Sequence, residues 1–362
     1  MPPKLASLSG LSVHQARTRI SGMVHRTPVI TSPFLSRILQ SSLLRLQVDL
    51  QSRNVELFFK CENFQKGGSF KFRGALHCLT RLSDAELSGG LVTYSTGNHA
   101  RALAIAAKLL AEERQLLIPV SVVMSRDSPT SKIESLGRLG ANIIMTGNRP
   151  EDRAAKAAEI QRETGAKLIP PSDNPDIASG QGTTVLEFDE QVQELCGEGL
   201  DAVIMPSGGG GLLTGAALVG AELGLRVFGA EPTAGGPQLA QGRASGVRVE
   251  TISTATVADG LRVPVGPDYF ELLRRPDYVD DVYAATEDQI CAALCLVLAE
   301  LKLVVEPSAA VALAAVLHCP RFHKCLAGDA SLRRIGVVLT GGNVPLATLL
   351  QIVNSHGKAT LQ

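Results

Sequence analysis

Short apolar runs alternate with alanine-rich amphipathic stretches through the middle of the chain. That alternation confines the fold to parallel sheets covered by helices on both faces. Strands are predicted at residues 90–94 (G-L-V-T-Y), 119–124 (P-V-S-V-V-M), 141–145, 166–169, 202–205 and 226–230. Between them the 3.6-residue period predicts helices at 98–110, 130–139, 150–164, 183–196 and 212–223. Upstream, residues 12–23 read as a helix with Val13, Ala16, Ile20 and Met23 near one face. Residues 26–30 read as a strand entry, 36–54 as a helix running into irregular chain, 55–61 as a strand and 72–82 as a helix. Downstream, helices are expected at 287–303, 308–318 and 345–353, with a strand at 335–339. The fold class is α/β.

Composition narrows the partners. Lys+Arg and Asp+Glu both number 35, so the formal net charge is zero and there is no electrostatic case for nucleic acid or an anionic membrane. There is no Trp, and 4% aromatic residues supply no stacking platform for single strands. No apolar run approaches the roughly eighteen residues that a spanning helix needs, and the first ten residues lack a signal-peptide core. The 7 cysteines are scattered; Cys291 and Cys295 fall one helical turn apart, but no Cys-His cluster completes a metal site. Reduced thiols in a cytoplasmic protein are the expectation.

Chemistry concentrates in turns that follow strands, where ligands of parallel sheets bind. Lys60 to Ala75 reads K-C-E-N-F-Q-K-G-G-S-F-K-F-R-G-A. Its Lys71 follows a double-glycine turn and the Phe70 ring, a setting that can exclude water, lower the amine pKa and make it a nucleophile or base. Ser207-Gly208-Gly209-Gly210-Gly211-Leu212 lies between a strand and a helix. Four glycines let backbone N–H groups close on an anion at a helix N-terminus, which suits a phosphate. No G-K-[ST] follows, and the spacing is not a G-x-G-x-x-G fingerprint. Tyr94-Ser95-Thr96-Gly97-Asn98-His99-Ala100 can cap its helix or bind a carboxylate. Leu339-Thr340-Gly341-Gly342-Asn343 is a third polar turn after a strand.

The ordered set K-G-G-S-F-K-F-R-G-A, S-T-G-N-H-A, S-G-G-G-G-L and V-L-T-G-G-N resembles the fold-type II pyridoxal-phosphate enzymes, in their serine/threonine dehydratase and serine racemase branch. Arg26-Thr27-Pro28, Gly180-Gln181-Gly182-Thr183, Gly229-Ala230-Glu231-Pro232, Ala258-Asp259-Gly260 and Val305-Glu306-Pro307 extend the likeness from about Val13 to Leu346. The resemblance implies a tryptophan synthase β-like fold of two open sheets, a large lobe at residues 1–89 and 168–362 and a small lobe at 90–167. It implies pyridoxal phosphate as cofactor, bound to Lys71 as a Schiff base beside Phe70. Asn98 then meets the ring hydroxyl oxygen, Gly208, Gly209, Gly210 and Gly211 hold the phosphate, and Thr340 meets the ring nitrogen. Ser95, Asn98 and His99 form the substrate-carboxylate turn.

The implied reaction is that of an ammonia-lyase converting L-serine, L-threonine or a related 3-hydroxy amino acid such as 3-hydroxyaspartate to a 2-oxo acid and ammonia, in a homodimer. An amino-acid racemase is the closest alternative, with Thr96 standing where racemases of the family place a serine opposite the lysine. A β-replacement synthase and a non-catalytic cofactor-binding protein are more distant ones. Two further departures stand out. The divalent-metal ligands of relatives fall on Glu231, Gly235 and Pro237, and proline cannot replace a carboxylate, so no metal is expected and Glu231 reads as structural. Val263 stands where some racemases carry a serine near substrate.

Overall fold

The computed structural model describes residues 8–49, 53–235, 237–250 and 255–360. Among the described residues, ten strands form two sheets. They are β1 (Val29–Thr31), β2 (Glu56–Cys61), β3 (Leu91–Thr93), β4 (Val120–Ser125), β5 (Asn142–Thr146), β6 (Lys167–Leu168), β7 (Ala202–Pro206), β8 (Arg226–Pro232), β9 (Asp281–Ala285) and β10 (Arg334–Leu339). The larger sheet has the order β1-β2-β10-β7-β8-β9 and the smaller β5-β4-β3-β6. Every pairing is parallel except β1 with β2.

Strand alternation divides the large sheet between two cores. Leu57, Phe59 and Cys61 of β2, with Ile335, Val337 and Leu339 of β10, face the helix Pro307–His318. Phe58, Val203, Met205 and Val338 face the helices Pro175–Cys196 and Gly211–Leu223. Burial on both faces is the condition under which parallel strands read as continuous apolar runs. The helix Pro307–His318 is itself buried from Pro307 to Leu317.

The small sheet packs with the helix Asn98–Arg114, and its core also takes Phe72, Ala75, Leu76 and Leu79 from the helix Lys71–Thr80. The lysine-bearing helix therefore joins the two sheets. Strand β6 extends to Leu168, one residue past the boundary expected for the small lobe.

Several expected boundaries shift, for local reasons. The helix expected from 183 begins at Pro175, because Asn174 caps it with acceptor bonds to the Asp176 and Ile177 amides and Pro175 suits its first position. Gly182 inside it looks like a breaker but serves close packing. A Cβ on the facing Gly215 would lie 2.6 Å from the Gly182 Cα, so the two helices meet backbone to backbone. The helix expected over 287–303 stops at Leu296, turns into one π-helical segment, Val297–Leu301, and ends at Lys302 in the left-handed conformation. Strand β9 and the helix Gln238–Ser245 had no counterpart in the sequence reading. Among the described residues all seven cysteines are free, and no helix is long and apolar enough to cross a membrane.

Candidate active site

The site begins where β2 and β10 end side by side, with Cys61 paired to Leu339. The two following turns are stitched together: the Gly342 amide donates to Gly68 O (2.9 Å), the Phe70 amide to Thr340 O (3.1 Å), and Ser69 bridges Gly341. Gly68 takes φ +76, and a Cβ there would meet Asn343 Oδ1 at 2.5 Å. Only glycine fits both demands. This clamp sets Lys71 as the first residue of its helix.

Phe70, Lys71, Ser95, Thr96, Asn98, His99, Gly208, Gly209, Gly210, Gly211 and Thr340 all line one cavity of about 420 Å³ between the sheets. The volume lies in the range of roughly 300–1,000 Å³ usual for small-molecule sites. Glu231 is not among the lining residues.

Lys71 Nζ donates to Pro171 O at 3.3 Å and lies 5.2 Å from the centre of the Phe70 ring. Burial lowers its pKa to about 8, against the opposing pull of Glu306. The amine is thus partly neutral near neutral pH. The Gly208, Gly209 and Gly210 N–H groups donate to no acceptor among the described residues, and Ser207 Oγ beside them is buried without a partner. Space is reserved here too. A Cβ on Gly209 would lie 3.0 Å from Ser172 Cβ, and Gly210 holds φ +89 at the start of the helix Gly211–Leu223. Free amides, an orphaned hydroxyl, a helix N-terminus and a desolvated lysine on the same cavity are what a phosphorylated aldehyde requires.

Glu306 appears in the sequence reading only within the Val305-Glu306-Pro307 segment, without a role. It ends the chain before the helix Pro307–His318, is 5% exposed, and turns its carboxyl away from that helix toward Asn98, whose Nδ2 donates to Oε1 at 2.7 Å. Burial, reinforced by the charge of Asp259, pushes Glu306 up to about 8. Asn343 Nδ2 donates to Asn98 Oδ1 at 2.9 Å. The Asn98 amide is therefore held from both sides, with its second N–H left for a ligand oxygen. A signal existed: Val305-Glu306-Pro307 puts a carboxylate directly before a helix that is apolar but for Ser308 and His318.

His99 lines the cavity as a neutral ring. Its Nε2 pairs with Ile169 O at 3.3 Å, Nδ1 has no partner, and burial, helped by the Lys71 charge, depresses it to about 3. A neutral imidazole brings no charge to a carboxylate. The donors left in that turn are the Ser95 and Thr96 hydroxyls and the first-turn amides of the helix Asn98–Arg114.

Behind the cavity lies a buried charge cluster. Lys60 (0% exposed) donates to Glu187 (2.6 Å), Gln191 (2.5 Å) and Thr27 O (2.8 Å). Arg73 reaches Glu62 (2.8 Å) and Glu187 (2.8 Å), and Thr27 Oγ1 donates to Glu62 at 2.6 Å. The Arg26-Thr27-Pro28 and F-K-F-R motifs thus meet in a neutral set of two cations and two anions.

A family model for pyridoxal-phosphate-dependent enzymes matches residues 20–341. The chain belongs to that family. It is 39% identical over 340 residues to a serine racemase of Oryza sativa, covering 93% of this chain and 91% of the relative. It is 36% identical over 344 residues to an L-threo-3-hydroxyaspartate ammonia-lyase of Saccharomyces cerevisiae, covering 93% and 95%. The solved structure of maize serine racemase superposes with a TM-score of 0.84 at 37% identity, covering 98% of this chain and 100% of that one. The protein is a fold-type II enzyme, and pyridoxal phosphate is the cofactor of its family.

Proposed function

We propose that the enzyme is an ammonia-lyase of 3-hydroxy amino acids, releasing a 2-oxo acid and ammonia. One observation carries this reading over racemisation. Lys71 has a pKa lowered to about 8, while the Thr96 hydroxyl on the same cavity has no hydrogen-bond partner among the described residues that would activate it as a second acid or base. One competent proton carrier supports elimination; inversion needs two.

Pyridoxal phosphate, when bound, supplies the electron sink that makes the Cα proton of a linked amino acid removable. The chain's own residues hold and move protons around it. Lys71 takes the Cα proton as a neutral amine. Ser95, Thr96 and the amides at the start of the helix Asn98–Arg114 hold the α-carboxylate. Asn98, fixed by Glu306 and Asn343, orients the ring through its free N–H. Thr340, 4% exposed, offers the ring nitrogen a neutral hydroxyl in place of a carboxylate. A neutral hydroxyl there would leave the ring nitrogen of the bound cofactor unprotonated and make it a weaker electron sink, which suits elimination.

The cavity mouth bears on the substrate. Lys132 is matched by Asp259 at 2.9 Å, but among the described residues the Arg101 guanidinium meets only neutral acceptors, Gly67 O at 3.1 Å and Ser135 Oγ at 2.6 Å. A cation without a counter-charge favours a substrate with a second carboxylate, as in 3-hydroxyaspartate. Racemisation remains the second reading, because Thr96 does present a hydroxyl to the cavity.

The test is a substrate panel. The cofactor-loaded enzyme is given L-serine, D-serine, L-threonine and threo-3-hydroxyaspartate, with oxo acid and opposite enantiomer assayed together in wild type and Thr96→Ser. Oxo acid from at least one L-substrate is expected, dominant in wild type, with the enantiomer fraction rising in Thr96→Ser. Equal or greater enantiomer formation in wild type, lost in Thr96→Ala, would make the protein a racemase.

A further inference from the structure

Strand β8 delivers Glu231 to the carboxyl edge of the large sheet, where its side chain is 1% exposed. The helix Gln238–Ser245 follows. Its N-cap is Pro237, which has no side-chain acceptor, so the orphan amides of the first turn need a partner from elsewhere. Glu231 supplies it: Oε1 accepts from the Leu239 amide at 2.9 Å and Oε2 from the Ala240 amide at 3.0 Å.

A divalent cation does not fit this arrangement. Both carboxylate oxygens are engaged by the N–H donors of the helix start. Pro237 contributes no carboxylate, and no group of three or more His, Cys, Asp or Glu among the described residues could hold a metal.

The cap reaches the cofactor cavity through Gln238, the first residue of the same helix. Its buried amide donates from Nε2 to Val263 O at 2.7 Å and to Gly208 O at 3.4 Å, and its Oε1 accepts from the Val265 amide at 2.8 Å. Gly208 belongs to the tetraglycine turn, and Val263 and Val265 form the wall against it. A Cβ on Gly210 would touch Val265 Cγ1 at 3.1 Å. One side chain therefore ties the turn to its wall, and one carboxylate fixes the helix that carries that side chain.

We propose that Glu231 and Gln238 form an internal, metal-free brace that holds the tetraglycine turn in its phosphate-binding shape, at the position where the family resemblance would put a cation. Both are positioning residues. The proposal rests on the reading of Gly208–Gly211 as the phosphate site.

The test compares equilibrium binding of pyridoxal phosphate with that of pyridoxal, which lacks the phosphate. Wild type, Glu231→Gln, Gln238→Met and Gly209→Ala are stripped of cofactor and titrated in EDTA, Mg²⁺ or Ca²⁺. Wild-type affinity is expected to agree within about twofold in all three media. Glu231→Gln and Gln238→Met should each lose about tenfold for pyridoxal phosphate, the worth of one hydrogen bond to a poised site, with pyridoxal unaffected. Should Glu231→Gln not fold, Gln238→Met decides alone. Tighter wild-type binding in Mg²⁺ or Ca²⁺, or variants whose phosphate selectivity is unchanged, would overturn the brace. Undiminished phosphate selectivity in Gly209→Ala would instead overturn the phosphate-site reading.

Discussion

Lys71→Ala is expected to reduce turnover of every substrate by at least about a thousandfold, upwards of 4 kcal/mol of transition-state stabilisation. On the proposed reading, the variant removes the covalent anchor of the cofactor and the base at Cα together. Phe70, Asn98 and the tetraglycine turn remain, so noncovalent binding through the phosphate should persist while the visible band of the lysine-bound cofactor disappears. The depressed pKa gives a second check on the same residue. Only the neutral amine attacks an aldehyde, so cofactor uptake by the stripped wild type should climb with pH and level off above about 8. Stopped-flow absorbance reads this directly. A plateau only above pH 10 would mean that the amine is solvated.

Arg73→Met is expected to be the most destabilising single change near the site, by roughly 3–5 kcal/mol, the cost of breaking a buried ion-pair network from one side. Burial alone would lower the Arg73 pKa; Glu62 and Glu187 together outweigh it and raise it instead. Without the guanidinium, Glu187 keeps Lys60 and Glu62 keeps the Thr27 hydroxyl, so two anions are left with one cation. Because Arg73 lies on the helix that begins with Lys71, cofactor affinity should fall as well. Urea denaturation of the stripped protein measures the stability term. Adding Glu187→Gln to Arg73→Met should recover part of the loss, since one unpaired charge is then gone. A loss below about 1 kcal/mol would mean that water reaches the cluster.

Much of this site was legible because its chemistry rides on backbone. The turns around Gly68 and Gly208–Gly211 need glycine for conformation and close approach, and such needs show as glycine in the sequence. Lys71 was legible because its neighbours Ser69 and Phe70 mark the clamp. The role of Glu306 was missed because it depends on Asn98 and Asn343, more than 35 residues away in either direction in a chain where only the fold brings them together. Lys60 and Arg73 escaped for the same reason: a buried lysine in an apolar strand cannot be told from an edge lysine until Glu187 is seen against it. The start of the helix at Pro175 was hidden by Gly180 and Gly182, whose propensity cost is offset by close backbone packing, of Gly180 on Gly74 and of Gly182 on Gly215. Strand β9 lies at the edge of the large sheet, and its sequence carries no turn motif that draws attention to it.

The central claim is that Lys71 alone carries the Cα proton and that elimination follows. It is tested most directly by running the holoenzyme to partial conversion in D₂O on the best L-substrate of the panel. Oxo acid, residual substrate, its chirality and its Cα deuterium are then measured together. The expected result is accumulating oxo acid, with any Cα deuterium confined to residual substrate of unchanged configuration. Accumulation of the deuterated opposite enantiomer at a rate matching the oxo acid would contradict it, and would place a second working acid on the face of Thr96.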